Sequence, residues 1–184
     1  MSANTHDSKK NRLSVKDMAF VAMFAALIAV CSMISIPIGE VPVTLQTFGV
    51  CLSAATLGRR RGVLSVLIYI LIGAAGIPVF AGFKGGFGVL AGPTGGYIVG
   101  FLLTALIIGT AADKWGRKVL PLTPAMVIGV LLCYAVGTAW FILVTKMHLG
   151  ESLLLCVVPF LIPDVVKIAA AAILSVQLSK AVRL

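Results

Sequence analysis

Charged residues are scarce in this 184-residue chain: they make up 11% of it, and only six are acidic. A typical soluble domain has about 25% charged residues. Hydrophobic residues reach 60%, and the mean hydropathy is +1.10. The composition therefore excludes an ordinary soluble domain, whether catalytic or nucleotide-binding, and predicts an integral membrane protein.

Residue types that carry most catalysis and metal binding are also few. The chain has two histidines, His6 and His148, and four separate cysteines without a Cys-x-x-Cys pair. It contains no Gly-x-Ser-x-Gly, His-Glu-x-x-His or Gly-x-x-x-x-Gly-Lys-Ser/Thr motif. We expect no metal site, no cofactor and no enzymatic activity, and any ATP-driven step would need a separate ATPase.

Long uncharged runs predict six membrane-spanning helices. A span needs about 20 apolar residues. The runs cover residues 18–39, 41–58, 63–83, 85–112, 119–145 and 152–179, the last interrupted only by Asp164 and Lys167. The first follows a basic segment like that of a signal peptide, and we interpret it as an uncleaved helix because further spans follow. We expect a polar tail of residues 1–14 and one all-α, six-helix domain over residues 15–184.

Basic residues predict the orientation of these helices. Of the 15 basic residues, all except Lys84, Lys146 and Lys167 fall in places that six spans put on one face. They are Lys9, Lys10, Arg12, Lys16, Arg59, Arg60, Arg61, Lys114, Arg117, Lys118, Lys180 and Arg183. The positive-inside rule makes that face, with both termini, cytoplasmic. The net charge of +9 then reflects topology and contact with the lipid bilayer, and no nucleic-acid partner is expected.

Small residues form two stripes at helical spacing. The first helix has Ala22, Ala25, Ala26 and Ala29, and the fourth, expected to begin near Pro93, has Gly92, Gly96, Gly100 and Thr104. Such stripes let two helix backbones approach closely. The alanine stripe fits either packing within the bundle or docking of a second membrane subunit. The glycine stripe predicts close packing of the fourth helix.

Two irregular segments interrupt the apolar sequence. Residues 36–47 contain Pro37 and Pro42, which predict an extended outer loop over the bundle mouth. Residues 82–97 contain seven glycines, and we expect a loop over 82–88. Irregular backbone at membrane depth persists only where it is buried or lines a cavity, so this stretch is the first candidate binding site. Lys84 within it is either an anchor for an anionic group or a solvated side chain.

The last run carries the intramembrane charges. Pro159 and Pro163 predict a short helix over residues 151–160 and a sixth helix that begins at Pro163. Asp164 would then lie in the first turn, with Lys167 on the same face at i+3. Intramembrane ionisable residues indicate a functional site, and a structural ion pair at the helix end is the alternative.

These segments resemble the BioY family, the biotin-specific substrate-binding subunits (S components) of energy-coupling factor (ECF) transporters. The matching motifs are Val41-Pro-Val-Thr-Leu-Gln46, Gly76-Ile-Pro-Val-Phe-Ala-Gly82, Gly88-Val-Leu-Ala-Gly-Pro-Thr-Gly-Gly-Tyr97 and Ile162-Pro-Asp-Val-Val-Lys167. The resemblance implies a six-helix S-component fold in the cytoplasmic membrane of a prokaryote. It further implies one biotin near the outer face, a transmembrane coupling protein that faces the alanine stripe, and two ATPases.

Side-chain chemistry suggests how biotin would be held. Asp164 would accept a ureido N–H, and Lys167 would donate to the ureido oxygen or to the carboxylate. Gln46, Thr44 and Tyr97 would complete the polar set. The apolar part of biotin would be covered by Phe48, Phe83 and Phe87. The backbone could approach the ligand at Gly95 and Gly96. We include Lys84 among the candidate binding residues, although relatives favour smaller, uncharged residues there. The alternative functions are an S component for another vitamin, a standalone secondary carrier and an intramembrane enzyme. Co-purification with an ATPase would distinguish an S component from a carrier.

Overall fold

A computed structural model describes residues 14–38 and 41–182 of the chain. Several residues used above lie outside the described residues: the polar tail before Ser14, with Lys9, Lys10 and Arg12, and also Glu40 and Arg183.

The described residues form a helical bundle with one small hairpin. The elements are α1 (Val15–Met33), β1 (Ser35–Ile36), β2 (Val43–Thr44), α2 (Gln46–Leu57), α3 (Arg59–Ala74), α4 (Phe87–Ala91), α5 (Gly95–Trp115), α6 (Val119–Thr145), α7 (Leu149–Cys156) and α8 (Val158–Val182). Strands β1 and β2 pair antiparallel, with Ser35 opposite Thr44. The extended conformation predicted for the loop over residues 36–47 is therefore present in the two strands, but Gln46 and Thr47 already belong to α2.

Helix lengths divide the bundle into two groups. Four helical stretches of the described chain are long and apolar enough to cross a membrane: α1, α5, α6 and the stretch Leu149–Lys180. The fold is thus that of a multi-pass membrane protein. The other two predicted spans are shorter, because α2 has 12 residues and α3 has 16. At 1.5 Å per residue α2 is about 18 Å long, less than the roughly 30 Å of a bilayer core.

A single glycine joins α2 to α3. Gly58 has a φ of +81°, and a Cβ there would lie 2.2 Å from Asp113 Oδ1. Asp113, on α5, accepts the backbone N–H of Arg59 at 3.0 Å and so caps α3 from a neighbouring helix. Arg59, Arg60 and Arg61, which lie between the second and third uncharged runs, occupy the first turn of α3.

The glycine stripe packs α5 closely against α6, as predicted. A Cβ on Gly96 would lie 2.2 Å from Trp140 Cβ, and one on Gly100 would lie 2.9 Å from the Cys133 sulfur. One turn further, Thr104 donates its hydroxyl to the Gly129 carbonyl at 2.9 Å. Because these contacts hold the two backbones together, they fix where the side chains of α5 and α6 point.

The third predicted run does not continue as helix to residue 83. Helix α3 ends at Ala74, and Gly76 follows with a φ of +102°. The chain then turns back in an antiparallel bridge between Phe80 and Lys84. The predicted loop over 82–88 is irregular only to Gly86, since α4 begins at Phe87. Hydropathy did not reveal these bounds because the turn is as apolar as the helix before it.

The sixth helix begins earlier than predicted. Helix α8 starts at Val158 and includes Pro163, which places Asp164 in its second turn. The short helix before it, α7, covers Leu149–Cys156 rather than 151–160. Prolines are tolerated here because N–H groups in a helix's first turn have no intrahelical partner, and Pro163 withdraws only the bond to the carbonyl four residues back.

Candidate functional site

One cavity lies where the hairpin, the glycine-rich segment and helices α5, α6 and α8 meet. Its lining is Val41, Pro42, Thr44, Gln46, Thr47, Phe80, Ala81, Val89, Thr94, Tyr97, Ile98, Phe101, Thr104, Val130, Cys133, Tyr134, Phe160 and Asp164. Small-molecule sites are typically apolar with a few convergent polar groups. This cavity has that character, and it includes Thr44, Gln46, Tyr97 and Asp164 from the predicted set.

Asp164 is the charged group of the cavity wall. Its side chain is almost fully buried, with the residue 3% exposed. Lys167 donates to Asp164 Oδ1 at 2.6 Å, and the Tyr134 hydroxyl donates to Oδ2 at 2.5 Å. Lys167 lies within reach of Asp164 at i+3, as expected, and the two residues form the ion pair that the sequence offered as the alternative to a functional site. An ionised carboxylate has about four lone-pair sites, so two remain for a ligand's N–H groups.

Lys167 stabilises this charge from outside the cavity. The residue is 6% exposed, and it is not part of the lining described above. A buried carboxylate without a counter-ion is unfavourable, and the ammonium at i+3 supplies one. Lys167 therefore supplies the counter-ion of Asp164, whose carboxylate lines the cavity.

A second group of polar side chains lies in the wall formed by the hairpin and the start of α2. Thr44 donates its hydroxyl to Gln46 Oε1 at 3.2 Å, and the Gln46 amide donates to the Tyr69 hydroxyl at 2.5 Å. Tyr69 in turn donates to the Ser32 hydroxyl at 3.2 Å. This chain links the hairpin to α1, α2 and α3. It fixes the Gln46 side chain at the cavity edge.

Tyr97 is held at the start of α5. Its hydroxyl shares a hydrogen bond of 3.0 Å with Thr138 and lies 3.4 Å from the Cys156 carbonyl, to which it donates. The ring packs on Gly137, where an added Cβ would lie 2.3 Å from it. Gly137 thus makes room for the ring, and Tyr97 presents a fixed edge to the cavity.

The remaining predicted site residues lie outside the lining in this structure. Phe83 and Phe87 are 67% and 73% exposed, Lys84 is exposed in the turn, and Phe48 packs against the core. Gly95 and Gly96 are buried against Leu90 and Trp140 rather than facing the cavity. Their contact with a ligand stays a prediction.

Sequence reasoning missed Tyr134 and Tyr69. The chain has three tyrosines, and each donates or shares a buried hydrogen bond. A tyrosine hydroxyl inside an apolar span needs a partner, because no water is available there. That signal was present in the sequence, since Tyr69 and Tyr134 both fall within uncharged runs. Phe80 and Phe101 gave no comparable signal, because apolar residues are common throughout.

The alanine stripe divides between the two expected environments. Ala25 is buried within the bundle, whereas Ala22 and Ala26 are exposed and Ala29 is half-buried. A shallow groove runs along these residues between α1 and α3, with Ile68 and Ile72 in its wall. Packing inside the bundle explains Ala25 alone, so the outer members leave a close-approach surface on α1.

Comparison with known proteins gives one consistent result. The chain is 43% identical over 166 residues to the "Probable biotin transporter BioY" of Pyrococcus horikoshii, covering 90% of this chain and 98% of that protein. It is also 43% identical over 167 residues to the "Biotin transporter BioY" of Thermotoga maritima, with 90% and 97% covered. The crystal structure of the S-component for biotin from an ECF-type ABC transporter superposes with a TM-score of 0.84 at 28% identity, covering 90% of this chain and 92% of that one.

A sequence model described as the BioY family matches residues 5–184. The match spans all the segments that line the cavity. By both the family match and the similarity to its relatives, this chain belongs to the BioY family.

Proposed function

We propose that this protein binds biotin and takes it up across the cell membrane as the substrate-specificity subunit of an ECF transporter. The observation that carries the proposal is the buried Asp164 carboxylate, fixed by Lys167 and Tyr134 at the wall of an otherwise apolar cavity. Similarity to proteins named biotin transporters and to a biotin S-component supports the choice of ligand.

Biotin has groups that match both walls of the cavity. Its ureido ring would donate an N–H to the free lone pairs of Asp164, in a charge-assisted bond about twice as strong as a neutral one. Lys167 would act mainly through Asp164. Gln46, Thr44 and Tyr97 would bind the other polar atoms, and Phe80 and Phe101 would pack against the thioether ring and the chain.

The segments around the cavity would close over the ligand. Residues of the hairpin and of the segment 75–92 line the cavity, and Phe83 and Phe87 are exposed on the second segment. We infer that these two rings turn inward on closure and that Lys84, Phe48, Gly95 and Gly96 contribute only in that closed form. Lids of this kind exclude water and retain the ligand.

Uptake would require partner subunits. The chain has no phosphate-binding loop, so free energy for pumping would come from two ATPases through a transmembrane coupling protein. Ala22, Ala26 and Ala29 on α1 offer the surface on which that protein would dock. The protein would act without catalysis, metal or cofactor, and biotin would be its transported ligand.

The proposed topology has six helices across the cytoplasmic membrane of a prokaryote and both termini in the cytoplasm. In this arrangement α2 and α3 are the two remaining spans beside the four longer ones. All six belong to a single domain over residues 15–184. Described basic residues support it, because Lys16, Arg59, Arg60, Arg61, Lys114 and Lys180 lie at helix ends that this topology places on one side.

Calorimetry tests the proposal directly. The chain is purified in detergent from biotin-free medium and titrated with biotin, with thiamine and riboflavin as controls. One-to-one binding of biotin alone supports the function. Binding of another vitamin instead, or binding of none by a folded sample, contradicts it.

A further inference from the structure

A groove lies on the surface of the bundle between α3 and α5, near the end where the arginines cluster. Its walls are Arg59, Arg60, Val63 and Leu64 of α3 and Leu106 and Asp113 of α5. Along both helices the charged residues come at the bundle end, and the apolar residues follow about 6–10 Å deeper at 1.5 Å per residue. The groove therefore has a charged mouth and an apolar floor.

The residues that line the mouth carry one net positive charge. Two arginines face one aspartate, and the Asp113 carboxylate accepts the backbone N–H of Arg59 at 3.0 Å. Arg59 and Arg60 are both exposed. Close backbone contact fixes this arrangement, because a Cβ on Gly109 of α5 would lie 2.4 Å from Arg59 Cα. The charged side chains of the groove therefore lie on two closely packed helices.

The apolar floor continues around α5. Leu106 also lines a second groove, between α5 and α6, with Lys114 and Trp115 at the same end. The Lys114 ammonium lies 5.5 Å from the Trp115 ring centre. Tryptophan and lysine in this position are typical of the boundary between lipid headgroups and hydrocarbon.

We propose that the α3–α5 groove binds an anionic phospholipid, with its phosphate between Arg59 and Arg60 and an acyl chain on Val63, Leu64 and Leu106. Guanidinium groups bind phosphate oxygens in pairs, and basic residues at a membrane surface attract anionic lipid. A phospholipid combines an anionic head with an apolar tail at the same spacing as the groove. Neither a free anion nor a purely apolar ligand would use both parts.

Native mass spectrometry of the detergent-purified full chain tests this proposal. The protein is mixed with phosphatidylglycerol or phosphatidylcholine, and we expect one phosphatidylglycerol to be retained preferentially. The variant Arg59→Gln/Arg60→Gln should bind it about 10- to 30-fold more weakly, at roughly a three- to fivefold loss per basic residue. The matched control, Lys118→Gln/Lys180→Gln, removes the same charge outside the groove and should bind as the parent does.

Three results would overturn the proposal: equal retention of the two lipids by the parent, an equal loss in the control variant, or displacement of phosphatidylglycerol by millimolar inorganic phosphate. Cross-linking of the unmodified chain tests the lipid position independently, because it does not depend on whether a variant folds. A phosphatidylglycerol with a photoreactive acyl chain should label Val63, Leu64 or Leu106. Labelling confined to other helices would place the lipid elsewhere and refute the assignment.

Discussion

Replacing Asp164 by Asn separates the structural role of this residue from its role in binding. The amide has nearly the same size, but it leaves the Lys167 ammonium, in a residue only 6% exposed, without its counter-ion. Loss of one partner of a buried ion pair typically costs about 3–5 kcal/mol of stability. Biotin would also lose a bond to a charged acceptor, which contributes about 1.5–3 kcal/mol and corresponds to about a 10- to 100-fold higher Kd.

The double variant Asp164→Asn/Lys167→Met distinguishes the two effects. It leaves no unpaired charge, so we expect thermal stability to recover toward that of the parent. Affinity for biotin should stay low, because the charged acceptor is still missing. Melting temperatures and calorimetric Kd values are measured for the parent, both single variants and the double variant, with the exposed Glu151→Gln as control. Recovery of parental affinity in the double variant would show that Asp164 serves only a structural ion pair.

Two further substitutions test other parts of the structure. Gly96→Ala places a Cβ 2.2 Å from Trp140 Cβ and should lower the free energy of unfolding by about 1–3 kcal/mol. The control Gly88→Ala meets nothing within 4 Å and should leave it unchanged. Equal melting temperatures for the two variants would contradict the α5–α6 packing. Ala26→Leu should prevent co-purification with the coupling protein and leave the biotin Kd unchanged, while Thr110→Leu on the exposed face of α5 affects neither. Normal assembly of the Ala26 variant would exclude this part of α1 as the docking surface.

Patterns that depend on neighbouring residues were readable from the sequence. The i+3 spacing of Asp164 and Lys167 was sufficient to predict that the two side chains share a helix face within reach of each other, because a helix brings those positions together wherever it begins. The stripe from Gly96 to Thr104 likewise predicted close packing, since only small residues permit it. Neither inference required knowledge of the partner helix.

Features that depend on distant residues were not readable. Tyr134 reaches Asp164 from 30 residues away, and Phe80 is 1% exposed although it lies in a turn. Hydropathy reports whether a segment is buried, not whether it is helical, so the apolar turn after Ala74 was taken for helix. The start of α8 was placed too late because proline weakens a helix interior but is tolerated close to its beginning.

The short helix α2 has a consequence for how the protein is made. Ten of its 12 residues are buried, and it packs against α1, α3, α5 and α8. Because α8 leaves the ribosome long after α2, α2 cannot make its contacts with α8 until α8 has been synthesised. Gln46 begins α2 and Asp164 lies on α8, so these two parts of the cavity wall come together only when α8 is present. The lining of this cavity is therefore incomplete in a nascent chain that still lacks α8.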